Sequence, residues 1–549
     1  MILNFKEELK AILKGEVDDS PALLQEYSRD ASLFEVRPRA VVFPKDTEDV
    51  KALVKFVKEH PKESLSLTCR SGGTDMTGGP LTESIVVDMQ RHFNNILEFG
   101  ERTARVQPGV WYRDFEKEAA KRNLLLPCYP ASKSICTVGG MAANNAGGEK
   151  TLRYGKTEDY IIELKTVLSD GQEHTIRPLT FQELQEKMRG GGFEGELHQR
   201  MFELLEENKA LLSKAKPKVS KNSAGYYLWN IWNGATFDLA KLICGSQGTL
   251  GIITELMFRL VVPKKHSTLL ILFLYNTAPL ANLVQKLLEH KPESLESYDD
   301  HTLQFAMRHI PDFVKLLKGN AFTLAFQFIP EFVMFLKGGL KLPKLVVLAE
   351  FTGDSEEEIY RKAAAAKKDL AGLAAQMRIA RSDREELKYM TVRRQSFNLL
   401  RHHAKGKRTA PFIDDIIVPP RTLPEFLPKL RYILEKHQKL IYTIAGHVGD
   451  GNFHIIPLMD LKKEENRTII PSLMEQVHRL VFQYGGSMTA EHNDGLIRTP
   501  FLEDMYGKEV VELFSQTKQV FDPQGIFNPG KKTEGNLYFA LSHVSMKSK

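Results

Sequence analysis

His447 and His454 flank an Asp450-Gly451 pair inside the apolar stretch Leu440 to Pro457. An Asp-Gly pair between apolar runs is a strong signal for a two-residue hairpin turn. Pairing outward from that turn sets Gly449 opposite Asn452, Val448 opposite Phe453 and His447 opposite His454. Directly opposed residues share a face with Cβ atoms about 4.5–5.5 Å apart, close enough for two imidazoles to share one divalent ion. Glu491, in Thr489-Ala490-Glu491-His492-Asn493, offers a carboxylate as third ligand, and the set suits Zn, Mn or Fe alike. The competing reading is a pair of structural histidines beside a turn.

A second chemistry lies in the glycines. Arg70-Ser71-Gly72-Gly73-Thr74-Asp75-Met76-Thr77-Gly78-Gly79 holds four glycines and three hydroxyl side chains in ten residues. Backbone N–H groups there face outward without Cβ obstruction, which makes either a concavity for a pyrophosphate or a tight surface turn. Two later runs are similar. Pro130-Ala131-Ser132 with Thr137-Val138-Gly139-Gly140-Met141-Ala142-Ala143-Asn144-Asn145-Ala146-Gly147-Gly148, and Gly245-Ser246-Gln247-Gly248-Thr249-Leu250-Gly251, let backbone approach a flat ring closely. None of the three is a Gly-x-Gly-x-x-Gly opening a helix or a Gly-x-x-x-x-Gly-Lys-Ser/Thr loop, so a nicotinamide or ATP site is not indicated.

The elements that must position these residues follow from periodicity. Ala40 to Pro44, Thr47 to His60, Leu65 to Thr68 and Ile85 to Asp88 read as strand, helix, strand, glycine-rich loop and strand. Texture changes at Val262-Pro263-Lys264-Lys265. The apolar run Ser267 to Tyr275, helix Ala278 to Glu289, strand Lys344 to Phe351 and helix Ser355 to Leu373 then suggest an antiparallel sheet covered by helices. The expected division is 1–262, 263–500 with the metal site, and 501–549 returning to the first part, ending in the turn-rich Phe521 to Lys531. A chain of 549 residues is too long for one core. Its net charge of +6 is spread among interleaved acids and bases, which points to a small anionic ligand or a membrane surface and away from nucleic acid. Four cysteines, Cys69, Cys128, Cys136 and Cys244, form no Cys-x-x-Cys pair, so a disulfide framework, structural zinc or iron-sulfur cluster is not expected. Met1 to Gly15 reads as an amphipathic helix lacking the apolar core of a signal peptide, and a cytoplasmic location is the expectation.

The three glycine-rich runs, their order and the Asn528-Pro529-Gly530-Lys531 ending resemble the FAD-binding domain of the vanillyl-alcohol oxidase superfamily. The similarity is greatest to its D-lactate, glycolate and D-2-hydroxyglutarate dehydrogenases, from about Tyr27 to about Lys532. The resemblance implies an α+β chain, with a two-subdomain PCMH-type FAD-binding domain and an antiparallel-sheet cap. It nominates Arg70, Ser71, Gly72, Gly73, Thr74, Asp75, Thr77, Pro130, Ser132, Thr137, Gly139, Gly140, Asn144, Gly147, Gly248, Ile253 and Asn528 for FAD. Thr74 stands where some members tether FAD through histidine, which implies non-covalent FAD. The Gly-His-x-Gly-Asp-Gly-Asn-x-His motif and the downstream Glu-His pair imply a metal on His447, His454 and Glu491. Chelation of a 2-hydroxy acid by that metal would acidify the hydroxyl and aim the Cα hydrogen at flavin N5. His492 is the candidate base, or else a hydrogen-bond partner of Glu491. Arg393 or its neighbour Arg394 falls where the family places its carboxylate-binding arginine, Arg393 being favoured. Relatives specific for 2-hydroxyglutarate have lysine, threonine and asparagine near Ile413, Phe397 and Ile456, all apolar here, which favours D-lactate or another monocarboxylate. Asn493 stands where relatives have glycine.

Electrons would leave to a quinone, a flavoprotein or cytochrome, or oxygen. Between residues 309 and 344, aromatic and aliphatic residues flanked by lysines resemble a monotopic membrane patch on the inner face of the plasma membrane, although buried core is the competing reading. The other functions open to such a scaffold are an oxygen-using alcohol oxidase and an alkylglycerone-phosphate-synthase-like flavoenzyme.

Overall fold

The computed structural model describes residues 5–309, 342–373, 376–403, 406–437 and 440–546, with backbone alone at 5–6 and 395–403. The first predicted segment forms strands Ala40–Phe43, Leu67–Arg70 and Ile85–Asp88 and helix Thr47–Glu59. Asp46 starts that helix by accepting a hydrogen bond from the Asp49 amide, and Val50, Leu53, Val54 and Val57 bury one stripe against the sheet. Ile85–Asp88 runs parallel to both of its neighbours. A parallel pair needs a crossover, and the first glycine-rich run is that connection.

A second sheet has five antiparallel strands in the order Ile96–Phe99, Thr103–Val106, Ile252–Arg259, Ile161–Val167 and Glu173–Ile176. The third has seven antiparallel strands: Gln376–Ile379, His266–Leu274, Leu345–Gly353, Ser294–Asp299, Ile444–His447, Asn452–Ile455 and Ile416–Ile417. Helices Leu280–Glu289 and Glu356–Asp369 pack on one face through Leu283, Leu287, Ala363 and Ala366. Helix Asp383–His403 packs on the other through Tyr389, Met390 and Val392. Coverage on both faces is why Leu269 to Leu274 is continuously apolar. The expected α+β architecture with a helix-covered antiparallel sheet is therefore what the chain forms. After helix Lys508–Phe521 the chain turns back, and Phe527 bridges Leu67 at the edge of the first sheet. Among the described residues no helix is long and apolar enough to cross a membrane. Most of the proposed membrane patch, residues 310–341, lies outside the described residues.

Candidate active site

The three glycine-rich runs converge around one cavity. Arg70, Ser71, Gly73, Thr74, Asp75, Thr137, Gly139, Gly140, Asn144, Gly248 and Ile253 line it, joined by Gln247 of the third run and by Met89 and Pro108, which no motif had marked. Gly73 (φ 62°) and Gly248 (φ 69°) occupy the left-handed region, where a side chain would strain the turn. Asp75 is turned into its own loop: Oδ2 accepts from Thr77 N at 2.9 Å, Thr77 Oγ1 at 2.7 Å and Gly79 N at 2.8 Å, while Oδ1 accepts from Asn144 Nδ2 at 2.9 Å. The carboxylate is thereby occupied, and the glycine backbone is left to face the cavity. A pyrophosphate and a flat ring fit that wall.

Six nominated residues stand behind the wall. Gly72 allows two loops to close, since a Cβ there would lie 2.6 Å from Ile135 O. Thr77 is bound to Asp75. Pro130 and Ser132 shape the turn entering Thr137, the Ser132 carbonyl accepting from Ile135 N at 2.8 Å and Cys136 N at 3.1 Å. Asn528 joins three segments, with Nδ2 donating to Gly79 O at 3.0 Å and Gln247 O at 2.7 Å and Oδ1 accepting from Thr68 Oγ1 at 3.1 Å. Gly147 abuts the histidine site instead, where a Cβ would meet Glu491 Oε2 at 2.9 Å. These six residues are expected to contact FAD, yet none lines the cavity: five shape the glycine-rich scaffold from outside it and Gly147 sits at the histidine site.

The hairpin departs from its expected register. His447 pairs with Asn452, Gly446 with Phe453 and Ala445 with His454. The turn has four residues, Val448 to Gly451, closed by Asp450 N donating to His447 O at 3.0 Å and Gly451 N donating to Val448 O at 3.1 Å. A two-residue turn of the expected type needs positive φ at both central positions, and here Gly451 alone has it, at 75°. Contacts from elsewhere fix this turn: Gly449 N donates to Leu295 O at 3.2 Å, and Gly451 O accepts from Val418 N at 3.1 Å. A shift of two residues preserves the face, so the histidines meet diagonally, ring centroids 5.3 Å apart.

Around Glu491 the polar atoms converge. His447 Nε2 lies 3.1 Å and His454 Nε2 3.7 Å from Glu491 Oε1. Ligand atoms about 2.1 Å from a tetrahedral ion lie about 3.4 Å apart, a separation that each of these two spacings approaches. Lys221 Nζ, buried, takes the other oxygen at 2.9 Å and also lies 3.4 Å from Asp450 Oδ2. Burial opposes the Glu491 charge, yet Lys221 and the two histidines hold its carboxyl well below the ordinary range. His447 is set against burial by Glu296, Glu491 adding to the effect, and is raised to about 9. His454, where burial wins, is lowered. His492 Nδ1 lies 2.8 Å from Asp414 Oδ2, and Asp414 Oδ1 lies 3.3 Å from His454 Nδ1. Its ring stacks on His454 with centroids 4.9 Å apart. Burial lowers the His492 imidazole, but Asp415 and Asp414 outweigh it and raise it to about 9.

Asp415, His454, Glu491 and His492 also form a ligand-like group, with ligand atoms within 4.8 Å of one another. Asp415 is already saturated, however. Its Oδ2 accepts from the amides of Ala490, Glu491 and His492 and from the Thr489 hydroxyl at 2.7–2.9 Å, and its Oδ1 accepts from Asn452 Nδ2 at 3.0 Å. It shapes the loop that presents Glu491 and His492. Asn493 then turns the chain in the left-handed region (φ 73°), which asparagine tolerates better than most residues, and its Nδ2 donates to Gly245 O at 2.8 Å.

The two arginines part company. Arg394 forms a two-pronged pair with Glu149, at 2.9 and 2.7 Å, and is 44% exposed. Arg393, 13% exposed, lies with Nε 2.9 Å from Glu296 Oε2, beside His447. Ile413 and Ile456 are buried and apolar, while the Phe397 side chain lies outside the described residues. Lys221, Glu296 and Asp414 carried no motif; only the Asp414-Asp415 pair ahead of an apolar run was visible as a cue.

Comparison with known proteins agrees with this geometry. The family described as "FAD linked oxidases, C-terminal domain" matches residues 263–532, and "FAD binding domain" matches residues 38–177. The chain is 28% identical over 540 residues to D-2-hydroxyglutarate dehydrogenase of Pseudomonas putida, covering 96% of this chain and 52% of that protein. It therefore spans about half the length of that relative. It is 29% identical over 538 residues to glycolate oxidase subunit GlcD of Bacillus subtilis, covering 96% of each. Among solved structures, an alkyldihydroxyacetonephosphate synthase shares the fold at a TM-score of 0.67 and 17% identity, over 97% of this chain and 86% of that one. Both models match within one polypeptide, and every residue lining the glycine-walled cavity precedes residue 263: the chain carries an FAD binding domain followed by an FAD linked oxidase C-terminal domain, and its cofactor is FAD.

Proposed function

We propose that this protein oxidises a D-2-hydroxy acid to the 2-oxo acid. The observation that carries the reading is the abutment of the two sites: Gly147, from the glycine run that walls the FAD cavity, packs against Glu491 at the centre of the histidine cluster. The relatives named for 2-hydroxyglutarate and glycolate support the substrate class. When bound, FAD supplies the hydride acceptor, and a divalent ion held by His447, His454 and Glu491 acidifies the substrate hydroxyl. His492, in the neutral form that prevails above about pH 9, accepts the hydroxyl proton at Nε2, its Nδ1 side facing Asp414. Its 24% exposure, against 8% for His447, suits a group that must meet substrate and return its proton to solvent. Arg393 binds the substrate carboxylate. Ile413 and Ile456 add no cation or amide for a second carboxylate, which favours a monocarboxylate such as D-lactate. Electrons then pass to a quinone or another carrier.

The test is anaerobic bleaching of the flavin by D-lactate, D-2-hydroxyglutarate and an alcohol lacking a carboxylate, with Zn(II) or Mn(II) present. Bleaching by D-lactate and not by the simple alcohol is expected. Reduction by the simple alcohol would favour an alcohol oxidase, and no reduction by any 2-hydroxy acid would favour a flavin without net redox work.

A further inference from the structure

Glu296 lies inside the seven-stranded sheet, on Ser294–Asp299, and is 1% exposed. Ser297 pairs with Gly446 and Tyr298 with Ala445, so the register carries Glu296 opposite His447 on the same face. A carboxylate this deep is costly unless both oxygens find partners. Both do: Oε1 lies 2.6 Å from His447 Nδ1, and Oε2 lies 2.9 Å from Arg393 Nε. Neighbouring Arg394 is held elsewhere, by Glu149.

We infer that Glu296 is a single positioning residue for two binding groups, fixing His447 for the metal and Arg393 for the substrate carboxylate. The hydrogen bond at Nδ1 of His447 directs Nε2 at Glu491, and the ion pair at Nε of Arg393 holds its guanidinium beside the same carboxylate. One carboxylate thus sets the distance between metal and carboxylate subsites, which selects acids whose hydroxyl neighbours the carboxyl. This rests on the metal and Arg393 roles proposed above.

The test uses FAD-loaded protein. Glu296→Gln should weaken Zn(II) binding roughly 10–100-fold. In metal-free protein it should weaken pyruvate binding, read from the flavin spectrum, roughly tenfold. In an Arg393→Ala background Glu296→Gln should leave pyruvate binding unchanged while still weakening Zn(II). Glu296→Asp, which keeps the charge but is too short to reach both partners, should lose one effect more than the other, and it serves if the glutamine variant does not fold. Unchanged Zn(II) and pyruvate binding with only a lower melting temperature would overturn the inference, as would a pyruvate effect that persists without Arg393. His447→Ala separates the two levels: if it leaves Zn(II) binding intact, the metal reading itself fails and the inference with it. If it abolishes binding while Glu296→Gln does not, the role of Glu296 alone fails.

Discussion

Lys221 reaches from the loop before Gly225 into the histidine cluster, where its ammonium neutralises Glu491 Oε2 at 2.9 Å and Asp450 Oδ2 at 3.4 Å with 1% of the side chain exposed. Lys221→Met keeps the length and removes the charge, leaving two buried carboxylates. Breaking a buried pair costs about 3–5 kcal/mol. Ser220 Oγ still donates to Asp450 at 2.6 Å and His447 still faces Glu491, so the lower end, about 3 kcal/mol, is the expectation. At about 2–4 °C per kcal/mol for a unit of 150–250 residues, the melting temperature should fall by roughly 6–12 °C. The pH dependence has a definite sign. Glu491 is held below its unfolded value, so its contribution is present above about pH 4.3 and is lost as pH falls further. Losing Lys221 raises that folded value, so the gap between parent and variant is full at pH 7.5 and closes as pH falls through the variant's folded value. A bound divalent ion supplies the missing positive charge, so the variant should bind Zn(II) more tightly than the parent, and one fixed Zn(II) concentration should narrow the gap at neutral pH. Calorimetry of the FAD-loaded protein with and without Zn(II) makes the measurement. A Lys221→Met midpoint within 2 °C of the parent at pH 7.5, or a deficit that neither acid nor Zn(II) reduces, would refute the electrostatic reasoning (about 1 kcal/mol being the most such a shift represents).

Asn528→Ala removes partners from buried groups at Gly79, Gln247 and Thr68, each such loss costing about 1–3 kcal/mol, and should loosen FAD binding at least about tenfold; fluorescence titration with unchanged affinity would show that it does not set the cavity. Gly147→Ala places a methyl 2.9 Å from Glu491 Oε2, so FAD should be retained while stopped-flow reduction by the hydroxy acid slows by about tenfold or more, and an unslowed rate would refute the packing argument. His478 is buried against Phe501 with both ring nitrogens lacking hydrogen-bond partners, and burial lowers it to about 3. Its contribution is therefore present above about pH 6.5 and lost progressively toward pH 3, so His478→Phe should gain about 2 kcal/mol over the parent at pH 5 and little at pH 8; an equal shift at both would refute it.

The parts of the site legible in the sequence are those governed by local rules. Strand alternation has a period of two, so the hairpin reading recovered the shared face of His447 and His454 although its register was two residues off. The turn length was not legible, because Leu295 and Val418 set it from other strands. The glycine-rich runs declared a backbone-walled cavity, but nothing local separates Gly73, whose positive φ shapes the wall, from Gly147, whose missing Cβ makes room for a residue more than three hundred positions away. Glu296 shows the deeper difficulty. Ser294-Leu295-Glu296-Ser297-Tyr298-Asp299 does not alternate: its two least polar residues, Leu295 and Tyr298, fall on opposite faces of a strand, so no period of two marks it. All six are buried, since the sheet is covered on both sides, and the Glu296 side chain meets His447. A run this polar reads locally as solvent-exposed chain. In a sheet covered on both sides, the polar residues of a central strand must be satisfied by other protein groups or by ligand, and that requirement is what brings Glu296 to His447 and Arg393.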